Sequence, residues 1–135
     1  MIGIAATPSG AGYWVVQATG KVSSFGTAQA FTTTATTSPV TAIAGTPTGG
    51  GYWLVTAKGG VYPYGNATKQ GTQTLPHIKV TPNLAVIGIV RVADTVGYWL
   101  IGADGGIFAF GTAPFVGSLP GTHVSVNDIV GAVPN

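Results

Sequence analysis

Three carboxylates, Asp94, Asp104 and Asp128, are the whole acidic complement of this 135-residue sequence, and no glutamate accompanies them. General acid–base catalysis and glycoside hydrolysis work through a positioned pair of carboxyl groups. Here the acids fall on three separate stretches. Asp94 precedes the third Gly-Tyr-Trp triplet, Asp104 sits in Ala-Asp-Gly-Gly, and Asp128 precedes the last apolar segment. Aspartate suits such turns because its side chain hydrogen-bonds the backbone two residues on, so all three read as turn residues. The two histidines, His77 and His123, lie in loosely corresponding positions after Pro76 and Thr122. A metal needs three or four convergent ligands, and there is no cysteine to add to them. Both read as solvated loop residues, and no metal is expected. No Gly-x-Ser-x-Gly elbow frames a serine nucleophile. The glycine stretches lack the Lys-Ser/Thr that completes a phosphate loop. The chain is therefore expected to have no catalytic residues and no cofactor.

The residue types that do recur are aromatic. Tyr13-Trp14, Tyr52-Trp53 and Tyr98-Trp99 each follow a glycine. Exposed rings of this kind stack on sugars, and several copies would bind with avidity. Aromatics also dominate core energetics, and a residue present in every copy of a repeat is first a determinant of the fold. The six rings are candidate ligand contacts, with packing between repeats as the preferred reading.

The triplets belong to a larger unit. Each copy opens with an apolar segment ("IGIAATP" from Ile2, "TAIAGTP" from Thr41, "IGIVRVA" from Ile87), and ten residues separate each start from the triplet glycine. An apolar run follows the triplet. A second tight turn comes next ("ATGK", "AKGG", "ADGG"), then a third run ("VSSFG", "VYPYG", "IFAFG"), then an arm rich in Thr, Gly and Pro. The runs carry Val, Ile, Tyr, Trp, Phe and Thr, the strand formers, and apolar residues never recur at helical spacing. The chain reads as all-β, with three strands per unit and a possible fourth in the arm. Tyr13 and Val15 point to one face of their strand and Trp14 and Val16 to the other. Both faces are apolar, which predicts burial on both sides, as in stacked blades.

Gly12, Gly51 and Gly97 stand 39 and 46 residues apart, so length variation falls in the arms, 27–40, 66–85 and 112–127. The repeats span about 2–40, 41–85 and 86–128 of a single domain, 1–135. The tail "DIVGAVPN" reads as one extra opening strand, 129–133, with Gly131 in the place of Gly3 and Gly88.

Composition narrows the class further. Charged residues are 6% of the chain, against roughly 25% in an average soluble domain. The net charge is +2 with its cations scattered, which gives no electrostatic footprint for nucleic acid. Mean hydropathy is +0.43, yet no apolar run approaches the roughly 18 residues of a membrane span. No signal peptide is read at Met1.

Repeats of this length with three or four strands suit a β-propeller. The pattern Gly-Tyr-Trp-Leu-Val, then Asp104-Gly-Gly-Ile-Phe-Ala-Phe-Gly111, resembles the repeats of secreted and cell-wall-associated actinobacterial proteins. It is also similar to the regulator-of-chromosome-condensation blade. Thr19 and Lys58 depart from that pattern where Asp104 matches it. The resemblance covers residues 2–135 and implies blade architecture, with motif residues that are structural. Propeller rings have roughly four to eight blades, so three cannot close alone. Two copies would complete six, with the extra strand pairing across the junction. The alternative is a single chain closed as a threefold β-trefoil-like barrel.

The expected function is non-catalytic: a self-assembling protein of an extracellular or virion surface, such as a phage decoration or tail component. Its partners would be itself, as a dimer, and other virion proteins. The alternative is a lectin-like module that binds cell-wall glycan.

Overall fold

A computed structural model of the chain describes residues 1–68, 85–93 and 97–132. Among them lie three separate three-stranded antiparallel sheets. The first is β1 (Gly3–Ala6), β2 (Gly12–Val16) and β3 (Val22–Gly26). The second is β4 (Val40–Gly45), β5 (Gly51–Thr56) and β6 (Val61–Gly65). The third is β7 (Val86–Arg91), β8 (Tyr98–Gly102) and β9 (Ile107–Phe110). In each the Gly-Tyr-Trp strand is central, with the opening strand on one edge and the third run on the other. The protein is all-β, in three blade-like repeats. The sheets share no ladder and close no barrel among the described residues, which sets aside the trefoil-like alternative. No helix there is long and apolar enough to cross a membrane.

The register repeats with the sequence. Ile4 pairs with Val15, Ile43 with Leu54 and Ile89 with Leu100. Tyr13 pairs with Phe25, Tyr52 with Tyr64 and Tyr98 with Phe110. The third run of each blade ends on a glycine for a steric reason. Gly65 has φ +64°, and a Cβ there would run into the carbonyl oxygen of Gly50. In β4 and β7 the register slips by one residue, at Thr41 and at Ile87. Such a bulge re-aims the extra side chain, and the Thr41 hydroxyl donates to the Val86 carbonyl of the next blade at 2.8 Å.

Blades meet face to face, and a core forms at each junction. Trp14, Val16, Val40, Ile43, Tyr52 and Leu54 fill the first. Trp53, Val55, Val86, Ile89, Tyr98 and Leu100 fill the second. One backbone link stitches each junction at the same register. Val40 N–H donates to the Ala18 carbonyl at 2.8 Å, and Val86 N–H to the Ala57 carbonyl at 2.9 Å.

The arms hold no fourth strand among the described residues. The third contains a 3-10 turn, Pro120–Thr122, that ends on His123 in a left-handed conformation, φ 62°. The expected extra strand at 129–133 is also not formed as a strand over 129–132, and residue 133 lies outside the described residues. A ladder needs a second strand, and no fourth Gly-Tyr-Trp run occurs in these 135 residues to supply it. The segment nevertheless starts as an opening strand does. Ile129 N–H donates to the Ala103 carbonyl at 3.1 Å, the link that Val40 and Val86 make.

Candidate functional site

The recurring tryptophans are held alike. Trp14 Nε1 donates to the Gln29 carbonyl, Trp53 to that of Thr68, and Trp99 to that of Pro114, at 2.8, 2.8 and 2.7 Å. Each indole thereby ties its blade to the start of its own arm, and a buried indole N–H needs such a partner. Trp14 and Trp53 are fully buried. The tyrosines complete the junctions. The Tyr52 ring lies 5.4 Å from that of Trp14, and Tyr98 lies 5.8 Å from Trp53. Four of the six candidate rings are thus enclosed between blades and present no face to a ligand.

The other two are the ends of this series. Tyr13, on the first blade of these 135 residues, is 42% exposed, whereas Tyr52 and Tyr98 are fully buried. Trp99, on the last blade of these 135 residues, is only partly buried. The expectation that the Gly-Tyr-Trp strand is covered on both sides holds for β5, every residue of which is buried. It fails for β2, where Tyr13 is open. The cause is position in the array, not composition.

Two further residues on the leading face of blade 1 were not candidates from sequence. Phe25 stacks on Tyr13, with ring centroids 5.1 Å apart and planes 22° apart. Ile4 is 60% exposed, while its register mates Ile43 and Ile89 are each 8% exposed. The signal for Ile4 was present in the repeat alignment. Its exposure depended on knowing which face the missing blade would have covered.

The inner strands β1, β4 and β7 line a concave groove of about 620 Å³. Its walls include Ile4, Ile43, Ile89, Trp99 and Ala132 of the tail, with Arg91 as the one charged residue among the described ones. Among the described residues, backbone and aliphatic side chains dominate this wall.

The polar candidates sit elsewhere. Asp104 Oδ1 accepts from the Gly106 N–H at 2.8 Å, so this carboxylate braces its own turn. Asp128 is exposed and leads into the tail. His123 is exposed and terminates the 3-10 turn. Asp94 and His77 lie outside the described residues. Among the described residues no three His, Cys, Asp or Glu side chains gather as a metal would require. No family model matches the sequence, and no curated protein matches it.

Proposed function

We propose that this chain is a non-catalytic structural protein that works by self-assembly: an arc of three blades that joins further copies at an extracellular or virion surface and presents its arms to the outside. One observation carries this reading. Isoleucines at the same register position are buried in blades 2 and 3 and open in blade 1. Within these 135 residues, blade 1 thus leaves open a face of the kind that the internal junctions bury. Exposed apolar surface of this kind marks an interaction site. The scarcity of charge and the resemblance to repeats of actinobacterial cell-wall proteins support a setting outside the cytoplasm. Native mass spectrometry or light scattering tests the reading. A mass at a multiple of the 13.5 kDa chain, with two copies expected, supports it, and a monomer at high micromolar concentration refutes it.

A second reading has its own observation. Among the described residues, Tyr13 and Phe25 form a stacked aromatic pair whose rings are both exposed, and such a platform suits a sugar ring. A lectin-like module would bind isolated actinobacterial cell walls as a monomer and lose that binding in Tyr13→Ala. Assembly without wall binding disposes of this reading.

A further inference from the structure

The two ends of the arc are complementary to each other, and the junctions inside the chain are the template. At the first junction the trailing side contributes Trp14, Val16 and Ala28, and the leading side contributes Ile43, Tyr52 and Leu54. The register equivalents on the trailing side of blade 3 are Trp99, Ile101 and Ala113. On the leading side of blade 1 they are Ile4, Tyr13 and Val15. Six of the seven seats of a third core, all but that of Val40, are therefore present, split between opposite ends of these three blades. Ile4 and Tyr13 are open and Val15 and Trp99 only partly covered, while Ile101 and Ala113 are already buried within the chain.

Resting on the assembly reading above, we propose that the leading face of blade 1 docks on the trailing face of blade 3 in a second copy, with Tyr13 on Trp99 as Tyr52 sits on Trp14. The contact is head to tail, blade 1 on blade 3, not a symmetric pairing of like blades. Two copies then share two such junctions and close a six-bladed ring, the closed outcome for a heterologous interface. A symmetric blade 1 to blade 1 contact would instead set Tyr13 against Tyr13 and leave both Trp99 side chains uncovered.

The tail holds the seat that β1 of the second copy requires. Ile129 makes the junction link to Ala103, and Ala132 reaches the groove beside Ile89 and Trp99. As an opening strand it is inferior. By the register of Gly131 with Gly88, Ala132 stands where the other units have isoleucine, and Pro134, which follows, has no N–H to donate to a ladder. β1 of the second copy displaces it.

The chain has no cysteine, so engineered thiols report the junction without background. At the first junction a Cβ on Gly45 would lie 4.0 Å from that of Ala5, inside the roughly 3.5–4.5 Å range of a disulfide. Gly45 faces Tyr52 and Ala5 faces Trp14. Their equivalents across the proposed contact are Ala6, which faces Tyr13, and Val90, which faces Trp99. Ala6→Cys protein mixed with Val90→Cys protein and oxidised is expected to give a disulfide-linked heterodimer, while neither variant alone links to itself. Ala5→Cys/Gly45→Cys in one chain is the positive control for linkable geometry. Self-linking of Ala6→Cys would show a symmetric contact and overturn the proposal. So would absence of any link in the mixture when the control closes. In either case a native mass above one chain leaves the assembly reading standing, whereas a monomeric mass removes both. Removing residues 129–135 is expected to raise the heterodimer yield at limiting protein concentration. A loss of yield would make the tail part of the junction and overturn the displacement.

Discussion

Tyr52 is fully buried, and its hydroxyl has no hydrogen-bond partner among the described residues. Its ring earns its place at the junction against Trp14, Phe31 and Tyr64, with each such pair contributing about 0.5–1.5 kcal/mol beyond area burial. The hydroxyl contributes nothing to set against its own desolvation, which costs about 1–3 kcal/mol. Tyr52→Phe should therefore stabilise by about 1–3 kcal/mol in chemical denaturation, with the denaturant slope unchanged. Burial, with the neighbouring Tyr64 adding to it, pushes the Tyr52 phenol from 10.0 up to about 12. A raised acid keeps its proton longer in the folded state than in the unfolded one. Below pH 10 both states are protonated and stability is unaffected; between pH 10 and about 12 the unfolded state ionises first and stability falls. Wild type should lose roughly 2–3 kcal/mol more than Tyr52→Phe across that window. Parallel pH curves for the two proteins would show that the phenol is hydrated.

At the scale of elements, each blade is set by its turns as much as by its runs. Gly65 combines φ +64° with a carbonyl where its Cβ would be, so Gly65→Ala should cost at least about 2 kcal/mol. Gly131→Ala, with nothing within 4 Å of the added carbon, should be neutral; equal effects on the thermal midpoint would contradict this account of the third run. The strands themselves were legible in the sequence, because the ten-residue offset from Ile2, Thr41 and Ile87 to the triplet glycine is the length of one opening strand plus its turn. The role of Asp104 was legible too, since the turn chemistry is local. The tail was half legible. Its likeness to an opening strand shows in the Ile129 link, but a strand exists only with a partner, and pairing is not a local property. Nor did periodicity reveal that Thr41 and Ile87 are bulged, because a bulge leaves the apolar pattern on either side intact.

At the scale of the molecule, the same residue type means different things by place in the array. Ile4, Ile43 and Ile89 share one register position, and only the first has no preceding blade within these 135 residues. A charge at Ile43 would be buried without a partner in the first core, and such a group destabilises by several kcal/mol. Ile43→Asp should therefore unfold or melt far below wild type, at any protein concentration. Ile4→Asp faces water in a single copy, where surface changes are usually within about 0.5 kcal/mol. It should keep the monomer's unfolding curve at low concentration. At high concentration it should fail to assemble, because docking would bury the new carboxylate beside Trp99 of the second copy. Thermal melts and native mass at two concentrations separate these cases. Destabilisation of Ile4→Asp equal to that of Ile43→Asp would mean that blade 1 is already covered within one chain, and a multimer retained in Ile4→Asp would mean that copies meet through another surface. The arc is thus a repeat array whose interior junctions specify what its ends must find.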